Sequence, residues 1–185
     1  YGNRQGDQRS LVIYHNKFAQ TSGWIKWSAA GKSKSSDQLV QRTLAEGLGL
    51  TGGDTRYVIF RDQTSGLEYI RPSQEIINQG LFLNLNAYQC HVFLDFHEVS
   101  DDPFGSYRRL CDYLGGSGVP NIHEAVKELL LAPIMRPYLE IANPGYIQYL
   151  LDQRQTESGQ TLPPQLLIEA QGKLTAFLDG ITQIT

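Results

Sequence analysis

The first hundred residues alternate between short apolar runs and short polar connections, a pattern typical of strands in an antiparallel sheet. The run R-S-L-V-I-Y-H-N, residues 9–16, is rich in residues that favour strands. Residues 57–60 and 67–70 predict a hairpin, because a polar segment ending in glycine joins them. Residues 81–99 alternate again and predict the closing strands. We therefore expect an antiparallel β-domain over residues 1–100.

The pattern changes to helical spacing at S-D-D-P, residues 100–103. Acidic residues suit the N-terminus of a helix, and proline suits its first turn. Asn121 and Glu124 have the spacing of a capping box, and Pro163 lies at the expected start of a last helix. The sequence thus predicts an α+β fold, with an antiparallel β-sandwich-like N-terminal half and a helical extension over residues 101–185.

Three segments between these elements are less regular. Asp37 is placed to cap a helix that extends to residue 48, where glycines interrupt it. Prolines divide residues 132–151 into short helical pieces, because each proline removes a backbone donor and clashes with the preceding turn. The polar stretch 152–161 predicts a flexible loop.

The composition is that of a folded globular protein, and the net charge limits the classes of partner that we expect. Hydrophobic residues make up 41% of the chain, charged residues make up 19%, and the net charge is −3. This charge does not attract phosphate backbones or anionic lipid, so we expect neither nucleic acid nor membrane as a partner. The apolar run 129–134 is far shorter than the roughly 20 residues that span a bilayer.

The start of the chain and its cysteines suggest a cytoplasmic piece of a larger protein. The opening Y-G-N-R has neither an initiator Met nor the layout of a signal peptide. Cys90 and Cys111 are the only cysteines, too few for a disulfide framework, and we expect both to be reduced.

The ionisable residues give no self-contained catalytic or metal-binding motif. The four histidines lack the spacing of a zinc site, and His91 and His97 share a parity that predicts one solvated strand face. The acidic cluster near residues 95–102 could serve an independent enzyme, but strand-end and helix-start roles explain it better. The glycine-rich residues 47–52 only superficially resemble a nucleotide-binding loop. We expect no catalytic residue, metal or cofactor in this chain.

Aromatic residues offer a different chemistry, because their faces stack well on the C–H surfaces of sugars. A carbohydrate-binding module could use Trp24, Trp27, Tyr14 and Tyr69. Packing in a core or interface is the competing explanation for each of these side chains.

Two stretches carry a resemblance to a known family. The opening Y-G-N-R-Q-G-D-Q-R-S-L-V-I-Y-H-N resembles the first strands of the C-terminal β-domain of α-amylase-family glycoside hydrolases. The run L-F-L-N-L-N-A-Y-Q-C-H-V-F-L-D-F, from residue 81, resembles the closing strands of that domain. The insertions between them are similar to those of a bacterial branch with an additional helical tail. The resemblance covers about residues 1–100 and extends in part to the tail.

The resemblance implies an accessory role, because the family's catalytic Asp, Glu and Asp lie on an upstream barrel and match no residue here. The chain is then expected to be a noncatalytic C-terminal region of an α-amylase-like glycosidase or glucanotransferase that stabilises the barrel. The partners that the resemblance implies are the barrel and an α-glucan. Separated from the barrel, its apolar surface could also cause self-association.

Overall fold

The computed structural model describes residues 1–32, 38–156 and 163–182. The chain divides into two compact units, Tyr1–Val126 and Lys127–Thr185, which are called the N-terminal and C-terminal units below. The pattern change predicted at residues 100–103 therefore precedes the division, because the first helix after the strands still belongs to the N-terminal unit.

The N-terminal unit begins with strands and ends with helices. Its strands are β1 (Gly2–Gln5), β2 (Gln8–Tyr14), β3 (Thr21–Ile25), β4 (Gly31–Lys32), β5 (Leu39–Val40), β6 (Arg56–Asp62), β7 (Glu68–Pro72), β8 (Leu81–Leu85) and β9 (Cys90–Ser100). Its helices are α1 (Leu44–Leu48), α2 (Ser73–Asn78), α3 (Ser106–Leu114) and the first turn of α4 (Ile122–Ile141). The C-terminal unit contains the rest of α4, α5 (Pro144–Thr156) and α6 (Pro164–Thr182).

A five-stranded antiparallel sheet in the order β1-β2-β9-β6-β7 forms the centre of the N-terminal unit. Strands β3 and β8 form a separate antiparallel ribbon, which we call the β3–β8 ribbon. The predicted α+β class, with an antiparallel sheet followed by helices, is confirmed.

The main core lies on one face of the sheet, which we call the ribbon face. Leu11 and Phe93 occupy paired positions on this face, and Phe60 lies nearby, with all three almost fully buried. Phe60 stacks on Phe96 and meets Phe93 edge-on. Leu81 of the ribbon is 1% exposed and belongs to the same cluster. Burial of such side chains stabilises the fold by roughly 1.5–3 kcal/mol each.

A bulge in β9 determines which of its side chains enter this core. The pairing with β6 shifts register between Ile59 and Arg61, and Asp95 lies in the bulge with a φ of 59°. One extra residue reverses the alternation, so Phe93 and Phe96 both face the core. The expectation that His91 and His97 share a solvated face is wrong for this reason. His91 is on the ribbon face, whereas His97 is exposed.

Helix α3 covers part of the opposite face of the sheet. Tyr107 contacts Tyr57, with ring centroids 6.5 Å apart, and the Cys111 thiol approaches the carbonyl oxygen of Ile70 at 3.8 Å. The predicted acidic helix start is confirmed. Asp101 and Asp102 accept hydrogen bonds from backbone N–H groups of the first turns of α3.

The predicted helix up to residue 48 is shorter than expected. Helix α1 begins only after Thr43, which forms a capping box with Glu46. Leu39 and Val40 belong instead to the short strand β5, because they pair with β4. The expected cap, Asp37, lies outside the described residues.

The helices of the C-terminal unit differ from two further predictions. Helix α4 is continuous from Ile122 to Ile141 with Pro133 and Pro137 inside it, so these two prolines do not divide it. The predicted division holds only at Pro144, where α5 begins. Helix α6 packs closely on α4, since a Cβ added to Gly180 would lie 2.2 Å from the carbonyl oxygen of Pro133. The predicted loop at 152–161 is helical up to Thr156 in α5, and residues 157–162 lie outside the described part.

Candidate functional site

A small cleft on the ribbon face brings together polar residues from three strands of the N-terminal unit. It has a volume of about 200 Å³ and lies between β8 and the strands β6, β7 and β9. Its polar side chains are Arg71, Asn84 and His91. Phe60, Tyr69, Leu81, Phe82, Leu83 and Phe93 supply most of its apolar wall. We call it the Arg71–His91 cleft.

A buried aspartate holds His91 in place. Asp62 is 1% exposed, and its Oδ2 lies 2.9 Å from Nδ1 of His91. The Thr64 N–H and the Ser65 hydroxyl also donate to this carboxylate, at 3.0 and 3.2 Å. The imidazole stacks on Phe93 with an interplanar angle of 3°. Because the acceptor at Nδ1 and the ring stack both fix the imidazole, Nε2 is the nitrogen left for other contacts.

The surroundings of Asp62 favour its ionised form. Burial acts to raise the pKa of this carboxyl, but the hydrogen bonds from His91, Thr64 and Ser65 outweigh it and hold the pKa below its ordinary value. An ionised Asp62 accepts the Nδ1 proton of His91, which sets the tautomer of a neutral imidazole.

Arg71 supplies the permanent positive charge of the cleft. Its guanidinium donates to the carbonyl oxygens of Ile70 and Gly116, both at 2.7 Å, and lies over the Tyr69 ring at 5.9 Å. Burial lowers the pKa of Arg71, and the negative charge of the nearby Glu75 carboxylate partly offsets this. Within the described ranges, no carboxylate lies within 4.0 Å of the guanidinium.

The structure does not bring the four predicted carbohydrate-binding aromatics together. Tyr69 lines the Arg71–His91 cleft and stacks on Phe60. Trp24 is 46% exposed on the ribbon, opposite Phe82. Trp27 lines a different hollow, and Tyr14 is exposed on the face of the sheet opposite the core.

The hollow beside Trp27 is larger, with a volume of about 740 Å³. Strand β1 and helix α1 form its sides, and Arg4 and Arg42 are its charged residues. Tyr1 lies at its edge. The long Arg4 side chain crosses close to the backbone of α1, since a Cβ added to Gly49 would overlap it.

The acidic cluster at residues 95–102 does not form one site. Glu98 accepts hydrogen bonds from Thr51 and Gly52, whereas Asp101 and Asp102 cap α3. Asp95 lies in the β-bulge. The glycine-rich residues 47–52 therefore direct backbone N–H groups at a carboxylate of the protein itself.

Sequence reasoning missed the pairing of Asp62 with His91, because the two residues are 29 positions apart. A local signal existed in D-Q-T-S, where an aspartate followed by Thr and Ser favours a turn closed by its own side chain. That signal predicts a fixed carboxylate. The histidine that pairs with this carboxylate can be identified only from the register in which β6 pairs with β9.

Residues 1–32, 38–156 and 163–182 contain no cluster of three or more His, Cys, Asp or Glu side chains that could hold a metal ion. Cys90 and Cys111 are free thiols, and burial raises the pKa of Cys111 to about 11. Among the described helices, none combines the length and apolar character needed to cross a membrane.

Comparison with protein-family models, with curated proteins and with solved structures gives no match to this chain.

Proposed function

We propose that this chain is a noncatalytic accessory region of an α-amylase-like glycosidase or glucanotransferase, which packs on the catalytic barrel of the same protein and stabilises it. The observation that carries this proposal is the apolar surface of the C-terminal unit. The order of its parts, an antiparallel β-domain followed by helices, agrees with the resemblance noted in the sequence.

The exposed apolar residues of the C-terminal unit form stripes along its helices. On α4 they recur at the spacing of one helical face, as Leu131, Met135, Tyr138 and Leu139. On α6 they are Leu167, Leu174 and Leu178, again at helical spacing. We call these two sets the exposed stripes. Each of these side chains is between 44% and 55% exposed.

Such stripes favour a contact with another folded body. Monomeric proteins seldom expose large contiguous apolar patches, and a larger patch usually marks an interface. Covering one half-exposed leucine contributes on the order of 1 kcal/mol, so a set of them supplies the stability of a permanent domain contact. A barrel carrying apolar helices on its outer ring is a suitable occupant.

We propose the cytoplasm as the compartment, because two cysteines are too few for a disulfide framework.

The proposal is tested in the reading frame that encodes the chain and in the protein expressed from it. The reading frame should encode a barrel of roughly 250 to 400 residues with alternating strands and helices. In that protein, L139E combined with L174E should lower the thermal midpoint by about 4–8 °C, because charges then enter the domain contact.

The control is L39E, which places one such glutamate at a leucine that is 70% exposed in the N-terminal unit. A reading frame without such a barrel would refute the proposal. Equal effects of the stripe variant and the control would refute it too.

A second candidate function, α-glucan binding, is favoured by the aromatic pair on the ribbon. Trp24 and Phe82 are 46% and 41% exposed, and their ring centroids are 5.3 Å apart. Exposed aromatic pairs of this kind can stack on sugar rings. Calorimetric titration with maltoheptaose tests it. W24A should abolish the heat of binding, W27A should leave it unchanged, and a flat wild-type titration would remove this candidate.

A further inference from the structure

The Arg71–His91 cleft is smaller than a site for a drug-sized molecule, so it can hold only a ligand of few atoms. Pockets for drug-sized ligands have volumes of roughly 300–1,000 Å³. The cleft is smaller, at about 200 Å³, and its residues all belong to the N-terminal unit. The floor is rigid, since Phe60, Leu81 and Phe93 are each at most 3% exposed.

The hydrogen-bonding capacity of Arg71 is only partly used by the protein. A guanidinium has five N–H donors, and two carbonyl oxygens accept from this one. The carbonyl contacts hold the group without neutralising it. A bound anion would offset the cost of burying the charge, and a carboxylate matches the planar fork of arginine.

His91 gives the cleft a second oriented polar group. Asp62 and the Phe93 ring hold the imidazole from two sides, so its position is set before any ligand binds. Residues that bind ligands specifically are commonly positioned in this way by a second layer of contacts. Asn84 of the ribbon adds an amide to the same cleft.

The cleft offers apolar as well as polar surface, so an organic anion fits it better than a bare inorganic ion. Apart from Arg71, Asn84 and His91, aromatic and leucine side chains surround the space. These surfaces favour a flat apolar body attached to the charged group. We propose that the cleft binds a small planar organic carboxylate, with the carboxylate on Arg71, the apolar body against the aromatic wall, and His91 as an additional polar contact.

The test uses sodium benzoate as the probe, added to the full chain and followed by two-dimensional ¹H–¹⁵N NMR. Saturable shifts are expected at the backbone amides of Gly116 and Asn84, which lie at the cleft. Benzamide has the same ring without the charge, and inorganic phosphate has the charge without the ring. Each should bind at least about tenfold more weakly than benzoate, because each lacks one of the two matched features.

Variants locate the site. R71Q should weaken benzoate binding at least about tenfold, since the charge-assisted bidentate contact is lost. R109Q removes one exposed positive charge from α3 and should leave binding within about twofold, because a distant surface charge is screened by salt. If R71Q does not fold, R71K keeps the charge and should still weaken binding, because lysine lacks the fork.

Several results would overturn the proposal. Benzoate shifts that do not saturate would show that no site exists. Equal binding by benzamide would refute the role of the charge, and equal binding by phosphate would refute the role of the apolar wall. Unchanged affinity in the folded Arg71 variant would place the ligand elsewhere. None of these outcomes depends on the presence of a catalytic barrel.

Discussion

The two units differ in how they use their apolar residues. The N-terminal unit places large side chains such as Phe60, Phe96 and Leu48 in a core where each is at most 2% exposed. In the C-terminal unit, Leu166 and Gly180 are the buried positions among the described residues, while leucines along α4 and α6 remain about half exposed. The first unit therefore has the core of an independent domain, whereas the second has apolar surface available for another folded body.

The largest expected effect is a loss of stability that is much greater for a core variant of the N-terminal unit than for a variant of the C-terminal unit. F60A should destabilise the N-terminal unit by about 3–5 kcal/mol, because it leaves a cavity among Tyr69, Phe93 and Phe96. L174A on α6 should cost less than about 1 kcal/mol, since its side chain is 51% exposed. Urea unfolding followed by Trp fluorescence reports on the N-terminal unit alone, because both tryptophans lie there. Similar losses in the two variants, measured by circular dichroism, would contradict the comparison.

The next effect concerns the close packing of α6 on α4. G180A should destabilise the C-terminal unit by about 1–3 kcal/mol, because the new Cβ would collide with the carbonyl oxygen of Pro133. The control is G172A in the same helix, where no atom lies within 4 Å of the added Cβ. That change should stabilise the helix by up to about 1 kcal/mol. Loss of helical circular dichroism on heating measures both. Equal shifts would show that the helices do not approach as described.

The Asp62–His91 pair should make the stability of the N-terminal unit dependent on pH. The folded state holds the pKa of Asp62 below its ordinary value, so the ionised carboxylate stabilises the fold above pH of about 3.9. This contribution is lost as the pH falls through the lower, folded-state pKa. D62N should therefore cost about 1–3 kcal/mol at pH 7 and progressively less below pH 4. Urea unfolding at several pH values gives the difference, and a constant difference would contradict it.

The sequence allowed the class of fold to be predicted, because strand alternation and helical spacing are local properties of the chain. The strand at residues 9–16, the hairpin and the acidic start of α3 all follow from neighbouring residues. The β-bulge at Asp95 did not follow, and it reversed the faces of His91 and His97. A bulge depends on the pairing with β6, so alternation within one strand contains no information about it.

The candidate site was less predictable than the fold. Tyr69 was among the aromatics selected from the sequence, but Arg71, Asp62 and His91 join it only through the sheet register and the loop that contains Gly116. The prediction that prolines divide α4 was wrong, because Pro133 and Pro137 lie inside one continuous helix. Pro133 packs closely on Gly180, and a contact between residues so far apart cannot be read from a local pattern.

The last prediction concerns a double variant that should change stability least and self-association most. Replacing Leu139 and Leu174 by glutamate alters residues that are 55% and 51% exposed, so each change should move the free energy of unfolding by about 0.5 kcal/mol or less. The same charges should prevent the exposed stripes from meeting an apolar partner.

Sedimentation velocity of the wild-type chain and of this double variant therefore tests the central claim, that the C-terminal helices present an apolar surface for another folded body. The isolated wild-type chain should associate as its concentration rises, and the variant should remain monomeric with unchanged Trp-detected unfolding. A wild-type chain that stays monomeric throughout, or association that persists in the variant, would contradict the claim.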